Sequence, residues 1–249
     1  MLPAQADIFD DYGDVQDDFD FRGEVGMYTN RLFRGQNLYD GPSIQPRIRA
    51  QANTEPYALY LEAFGHLSAG DDGDSGDAPL AHGEESYSEL NYDLGGLITF
   101  DSVTLHIGHR WYSYSKRTAR LDNTGEYFGK IQLDAPAHPH FEYDLDWEHY
   151  RGGYGELGVE EPFPVAIPRT KTSVSPFLTV SFSNGLANGP HPIYAEDGLV
   201  SLDFGVRGEL YFTENFYIEP ELQYTHPFDD ASDATTTFGI RVGGTIGLR

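Results

Sequence analysis

Thr237-Phe238-Gly239-Ile240-Arg241-Val242-Gly243-Gly244-Thr245-Ile246-Gly247-Leu248 is the stretch that decides the fold. Phe238, Ile240, Val242, Gly244, Ile246 and Leu248 share one parity, and Thr237, Gly239, Arg241, Gly243, Thr245 and Gly247 share the other. A period of two marks a strand, because successive side chains point to opposite faces. Here one face is apolar and the other carries an arginine. Residues 200–210 repeat the pattern, with Val200, Leu202, Phe204, Val206 and Leu210 opposite Ser201, Asp203, Gly205, Arg207 and Glu209. Between 103 and 111, Val103, Leu105, Ile107 and Trp111 face away from Thr104, His106 and Arg110.

Followed along the chain, the alternation predicts twelve strands, near 21–31, 43–53, 57–67, 87–98, 102–113, 125–134, 139–149, 153–161, 173–183, 199–211, 216–226 and 236–248. Each is about the 9–11 residues that a tilted strand needs to cross a bilayer. Short links at 53–56, 100–101 and 212–215 alternate with long polar ones at 68–86, 114–124, 184–198 and 227–235. Two links break the rule: 149–152 is short and 162–172 is long. Short periplasmic turns, longer outer loops and an even strand number belong to outer-membrane barrels. Aromatics near strand ends (Tyr57, Phe100, Trp111, Trp147, Tyr211, Phe212, Phe216, Tyr224) suit the two interfacial girdles.

A soluble β-sandwich also alternates, but it turns its apolar faces onto a dry core. The second face here carries too many charges for that. Polar inside and apolar outside is an arrangement for lipid, and it requires closure because lipid cannot satisfy an open sheet edge. The reading is therefore all-β: a closed antiparallel transmembrane β-barrel of 12 strands in the bacterial outer membrane, with N and C termini periplasmic.

The 249 residues hold 40 Asp+Glu against 16 Lys+Arg, a net charge of -24. Such a surface repels phosphates, so nucleic acid is not an expected partner. With no cysteine there is no disulfide and no thiolate site. Ala4-Gln5-Ala6 has the small-x-small form of a signal-peptidase site. Asp7, Asp10, Asp11, Asp14, Asp17, Asp18 and Asp20 follow, at a spacing unlike the Asp-x-Asp-x-Asp-Gly calcium loop. Residues 1–20 read as a signal-peptide remnant with a solvated acidic arm, and 21–249 as the barrel.

Tyr28-Thr29-Asn30-Arg31-Leu32-Phe33-Arg34-Gly35, followed by Gly41-Pro42-Ser43-Ile44-Gln45-Pro46, resembles the opening of the TorF-like family of outer-membrane porins. Ile107-Gly108-His109-Arg110-Trp111-Tyr112-Ser113-Tyr114 and Asn215-Phe216-Tyr217-Ile218-Glu219-Pro220 are similar too. The resemblance implies a small porin barrel without catalytic residues. It departs at Gly247-Leu248-Arg249, where such barrels usually end in an aromatic residue.

The polar parity then maps the lumen. Glu142, Asp144, Asp146 and Glu148 form a column on the seventh strand, extended by Glu156 and Glu160 on the eighth. Arg22, Arg47, Arg49 and Arg241 come from the first, second and twelfth strands, across a closed twelve-stranded barrel. Arg110, Lys130 and Arg207 add to the basic side, yet interior carboxylates still outnumber bases. The expected function is passive diffusion of small polar or cationic solutes through a lumen with an acidic wall facing a basic one. The alternative is a non-conducting barrel that anchors a surface complex through its acidic arm and loops, with an outer-membrane lipid hydrolase ranked below it.

No cofactor is expected, and His138 and His140 are weak candidates for a metal. Catalysis is not expected: Gly-x-Ser-x-Gly and His-Glu-x-x-His are absent, and the outward pair His109 and Ser113 lacks an ordering third group. Asp71, Asp72, Asp74, Asp77, Glu84 and Glu85 are expected to bind divalent cations that bridge lipopolysaccharide, the partner lipid of the outer leaflet.

Overall fold

Lipid offers the backbone no hydrogen-bond partner, so every strand must find two neighbours. The structure, a computed structural model, describes residues 18–69, 88–114, 123–187, 194, 196–228 and 233–248. The arm at 1–17, the acidic stretch 70–87 and Arg249 lie outside the described residues. In chain order the strands are β1 (Phe19–Tyr28), β2 (Arg31–Phe33), β3 (Gln36–Tyr39), β4 (Ser43–Thr54), β5 (Tyr57–Ser68), β6 (Ser88–Phe100), β7 (Val103–Tyr114) and β8 (Thr124–Leu133). They continue with β9 (His140–Asp146), β10 (Gly153–Glu160), β11 (Phe163–Pro164), β12 (Lys171–Asn184), β13 (Gly198–Thr213), β14 (Phe216–Pro227) and β15 (Thr235–Leu248).

Twelve of these make one antiparallel barrel, closed by β1 on β15 and by β10 on β12. Each of the twelve predicted strands is present. Phe19 pairs with Leu248, so both ends of the barrel chain lie at one rim, called here the terminal rim. The opposite rim carries 29–42, 147–152, 185–187 and Tyr194. The long 162–172 link is explained by β11, which runs on past Glu160 and pairs Phe163 with Val174 of β12.

Burial is inverted relative to a soluble protein. Leu59, Leu94 and Ile107 are 67%, 63% and 61% exposed, while Arg207, Glu219 and Glu126 are 1% exposed. Glycines let interior rings lie flat across neighbouring strands. A Cβ at Gly243 would stand 2.4 Å from the Tyr217 hydroxyl oxygen, which itself bonds Arg22 and Glu24.

The period of two misplaces two residues. Val200 was expected on the outer face. A β-bulge between Ser181 and Phe182 of β12 pairs Ser201 and Leu199 on β13 but skips Val200, which turns inward and is buried. Glu148 was expected on the interior column, but β9 ends at Asp146 and Glu148 is exposed in the following turn.

The outer face yields a direct test. Leu94→Arg places a charge on the lipid side near the middle of β6, which costs about 2–4 kcal/mol at a bilayer midplane. Urea unfolding from phospholipid vesicles should show that loss; an unchanged midpoint would contradict a lipid-facing Leu94.

Candidate functional site: the barrel interior

Between β1 and β4 the chain does not loop outward over the rim. It folds into the lumen as the hairpin β2–β3, pairing Phe33 with Gln36 around Arg34-Gly35. Both turn residues have positive φ, 50° and 75°, the geometry of a two-residue type I′ turn. Glycine adopts it readily; for Arg34 it is an unfavourable conformation that its side chain must hold. A Cβ at Gly35 would come within 2.6 Å of Ser201 Oγ, so the hairpin tip reaches β13 across the lumen.

The hairpin is fixed by two arginines. Arg34 forks onto Glu126, with Nη1 to Oε1 at 2.7 Å and Nη2 to Oε2 at 2.5 Å, and reaches Asp144 at 3.2 Å. Its guanidinium also lies 4.9 Å from the Tyr154 ring. Arg31 donates to Glu89 at 3.0 Å. Between the charges, Phe33, Leu38 and Tyr39 join Tyr112, Tyr150, Tyr154, Leu186, Tyr194 and Val200 in a buried apolar cluster near the rim opposite the termini. Tyr194 donates its hydroxyl to the Arg34 carbonyl at 3.0 Å. Burial pushes this phenol well above the usual tyrosine range, so it stays a donor. Beside the hairpin a small open cleft remains, lined by Arg31, Arg47, Arg110, Glu62 and Asp93 among others.

Of the six acids assigned to one wall, Glu142, Asp144, Asp146, Glu156 and Glu160 are buried inside. Asp146 is a turn cap rather than a free wall charge. Its Oδ1 accepts from the backbone N–H groups of Glu148, Tyr150 and Arg151, and its Oδ2 from Thr124. Glu160 meets Arg207 at 3.1 Å, and Arg207 also holds Glu219 and Glu221.

The basic residues do not form a bare wall. Arg22 and Arg241 are buried and Arg47 and Arg49 half-buried, but acids interleave with them. Glu24 faces Arg22 at 3.0 Å, Arg47 at 3.5 Å and Arg241 at 3.7 Å. Arg47 also meets Glu62, and Arg241 meets Glu219. Arg49 lies 3.9 Å over the Tyr60 ring and donates to Gln51.

The sequence reading missed Arg31 and Arg34 as interior groups. Their signal was Arg34-Gly35 between short alternating segments, a turn dipeptide inside what passed for a loop. His138 and His140 stand in different settings. His138 sits at φ 33° in the turn before β9 with Nδ1 4.0 Å from Asp134, whereas His140 is buried on the strand. Among the described residues no group of three or more metal-binding side chains is assembled. On the outer face His109 accepts from Trp147 Nε1 at 3.3 Å and packs on Tyr127, an aromatic cluster rather than a pair with Ser113.

Glu126→Gln leaves Arg34 buried without its forked partner, a loss of about 3–5 kcal/mol for a broken buried pair. Glu148→Gln, at an exposed turn, should stay within about 0.5 kcal/mol of the parent. Urea unfolding of both variants separates these expectations; equal midpoints would contradict the buried fork.

No family model and no curated protein matches the chain. Among solved structures, LpxR from Salmonella typhimurium is similar with a TM-score of 0.60 at 7% identity, over 92% of this chain and 100% of that one. The COG4313 outer membrane channel from Pseudomonas putida F1 is similar with a TM-score of 0.55 at 13% identity, over 95% and 98%. At these identities the likeness is one of fold. Together with the apolar exterior and charged interior, it makes this chain a closed twelve-stranded barrel of the bacterial outer membrane.

Proposed function

We propose that the protein is a narrow, porin-like channel for small polar or cationic solutes, with the hairpin at 29–42 as its constriction and no chemical step. The carrying observation is the charge balance of the interior. Among the described residues thirteen carboxylates are buried against six basic side chains. The two hairpin arginines are part of that six, so a lumen without the hairpin would be more acidic still. An excess of one sign selects permeant ions of the other. Loop 29–42 and the rim opposite the termini would form the outer mouth, facing lipopolysaccharide.

One observation favours the anchor reading. The cluster of Phe33, Leu38, Tyr39 and their neighbours is buried, and it occupies the lumen where solutes would enter. Removing it separates the two. In planar bilayers under a salt gradient, the parent should give small cation-selective steps. A variant with residues 31–39 replaced by a glycine–serine linker should give steps several-fold larger and at least as cation-selective. Silence from both proteins, once correctly inserted, would overturn the channel reading in favour of the anchor.

A further inference from the structure

The wall formed by β9, β10 and β12 holds several interior groups that the hairpin arginines leave unmet. Glu142 of β9 stands directly opposite Glu156 of β10, and Asp144 is opposite Tyr154. Like charges directly opposed on neighbouring strands are destabilising, so this pairing asks for a counter-charge. Lys130 of β8 is opposite Glu142 and answers one charge. Asp144 is shared by Arg34 at 3.2 Å and Arg110 at 3.9 Å. Glu156 accepts the Tyr154 hydroxyl, at 2.8 Å on Oε1, and no Lys or Arg among the described residues forms an ion pair with it.

Both acids keep an unmet oxygen. Oε2 of Glu142 and Oε2 of Glu156 accept no hydrogen bond although the side chains are 3% and 5% exposed. Around them Thr179 Oγ1, Ser183 Oγ and His140 Nε2 are also unmet. Thr179 is opposite Gly158 and Ser183 opposite Tyr154 in the β10–β12 register, so these hydroxyls flank Glu156 on the next strand. Thr179 Oγ1 and His140 Nε2 lean over Gly158, 2.9 Å and 2.5 Å from where its Cβ would stand. A buried polar atom without a partner is costly, and ionised carboxylates can be satisfied only by donors.

We infer that Glu142 and Glu156, with Tyr154, Thr179 and Ser183 beside them, bind the cationic head of a small organic solute through its N–H groups, an ammonium or a guanidinium. Arg34 displays the same chemistry one register step away: a guanidinium on Asp144 and Glu126, resting against the Tyr154 ring. A metal ion is the poorer fit, because no three ligating side chains converge among the described residues. The site deepens the channel reading and rests on it for the solute's route, but binding itself needs no conduction.

Titration calorimetry of the purified full chain in a non-ionic detergent, with ethylguanidinium chloride as probe, tests this. Saturable binding is expected, weakened at least tenfold in the double variant Glu142→Gln/Glu156→Gln and unchanged in Glu148→Gln. Heat-dependent gel mobility verifies that each variant is a folded barrel. Should the double variant fail to fold, Glu156→Gln alone, which removes one of two opposed like charges, should weaken binding in the same direction. Absence of saturable binding, equal binding by the folded variants, or displacement by an equimolar sodium salt would overturn the site. Binding by a barrel that never conducts would keep the site and defeat only the channel.

Discussion

A charge cannot be left in hydrocarbon, and once turned inward it cannot be left alone. Closing this barrel puts its apolar parity on lipid and forces the other parity, rich in carboxylates, into a space a few side chains wide. That space is workable only because bases are delivered to the acids. Strands supply some of them: Arg207 gathers Glu160, Glu219 and Glu221, and Arg110 takes Asp93. The wall around Glu126 and Asp144 depends on something else. Its counter-charge arrives on a hairpin folded in from the rim, and the forked bond of Arg34 is the contact on which the hairpin's position, the apolar cluster and the width of the lumen all depend.

This gives the hairpin two linked roles. It neutralises part of an acidic wall and it fills the lumen beside that wall. Removing the charge from Glu126 therefore loosens the plug, while removing the plug exposes Glu126 and Asp144 to whatever enters. Glu142 and Glu156, beyond Arg34's reach, each keep an oxygen without a hydrogen bond, as do Asp144, Glu219 and Glu221.

The barrel itself was readable from sequence. Lipid on one side and water or charge on the other write a two-residue period that no turn or loop can imitate over twelve segments. Parity failed only where local geometry broke the period. The bulge at Val200 reversed one side chain, and the Asp146 cap ended β9 before Glu148. The interior was half readable: Glu142, Asp144, Glu156 and Glu160 lie inside, as do Arg22 and Arg241. Two features were not readable. The opposing acidic and basic walls dissolve into interleaved pairs: Glu24 sits two residues from Arg22 on one strand, and register sets Glu24 opposite Arg47 and Glu219 opposite Arg241. The hairpin was also hidden. The two arms of the hairpin, Arg31–Phe33 and Gln36–Tyr39, are each too short to cross a bilayer, and no local pattern says that a rim loop will turn inward.

The position of that hairpin is the claim on which the rest stands, and the absence of native cysteine makes it directly measurable. Leu38 is fully buried in the apolar cluster. A Leu38→Cys variant in vesicles should react slowly with a bulky water-soluble maleimide, and much faster once Glu126→Gln is added. Equally fast labelling in both backgrounds would mean that the hairpin lies outside the lumen and that Arg34 does not hold it.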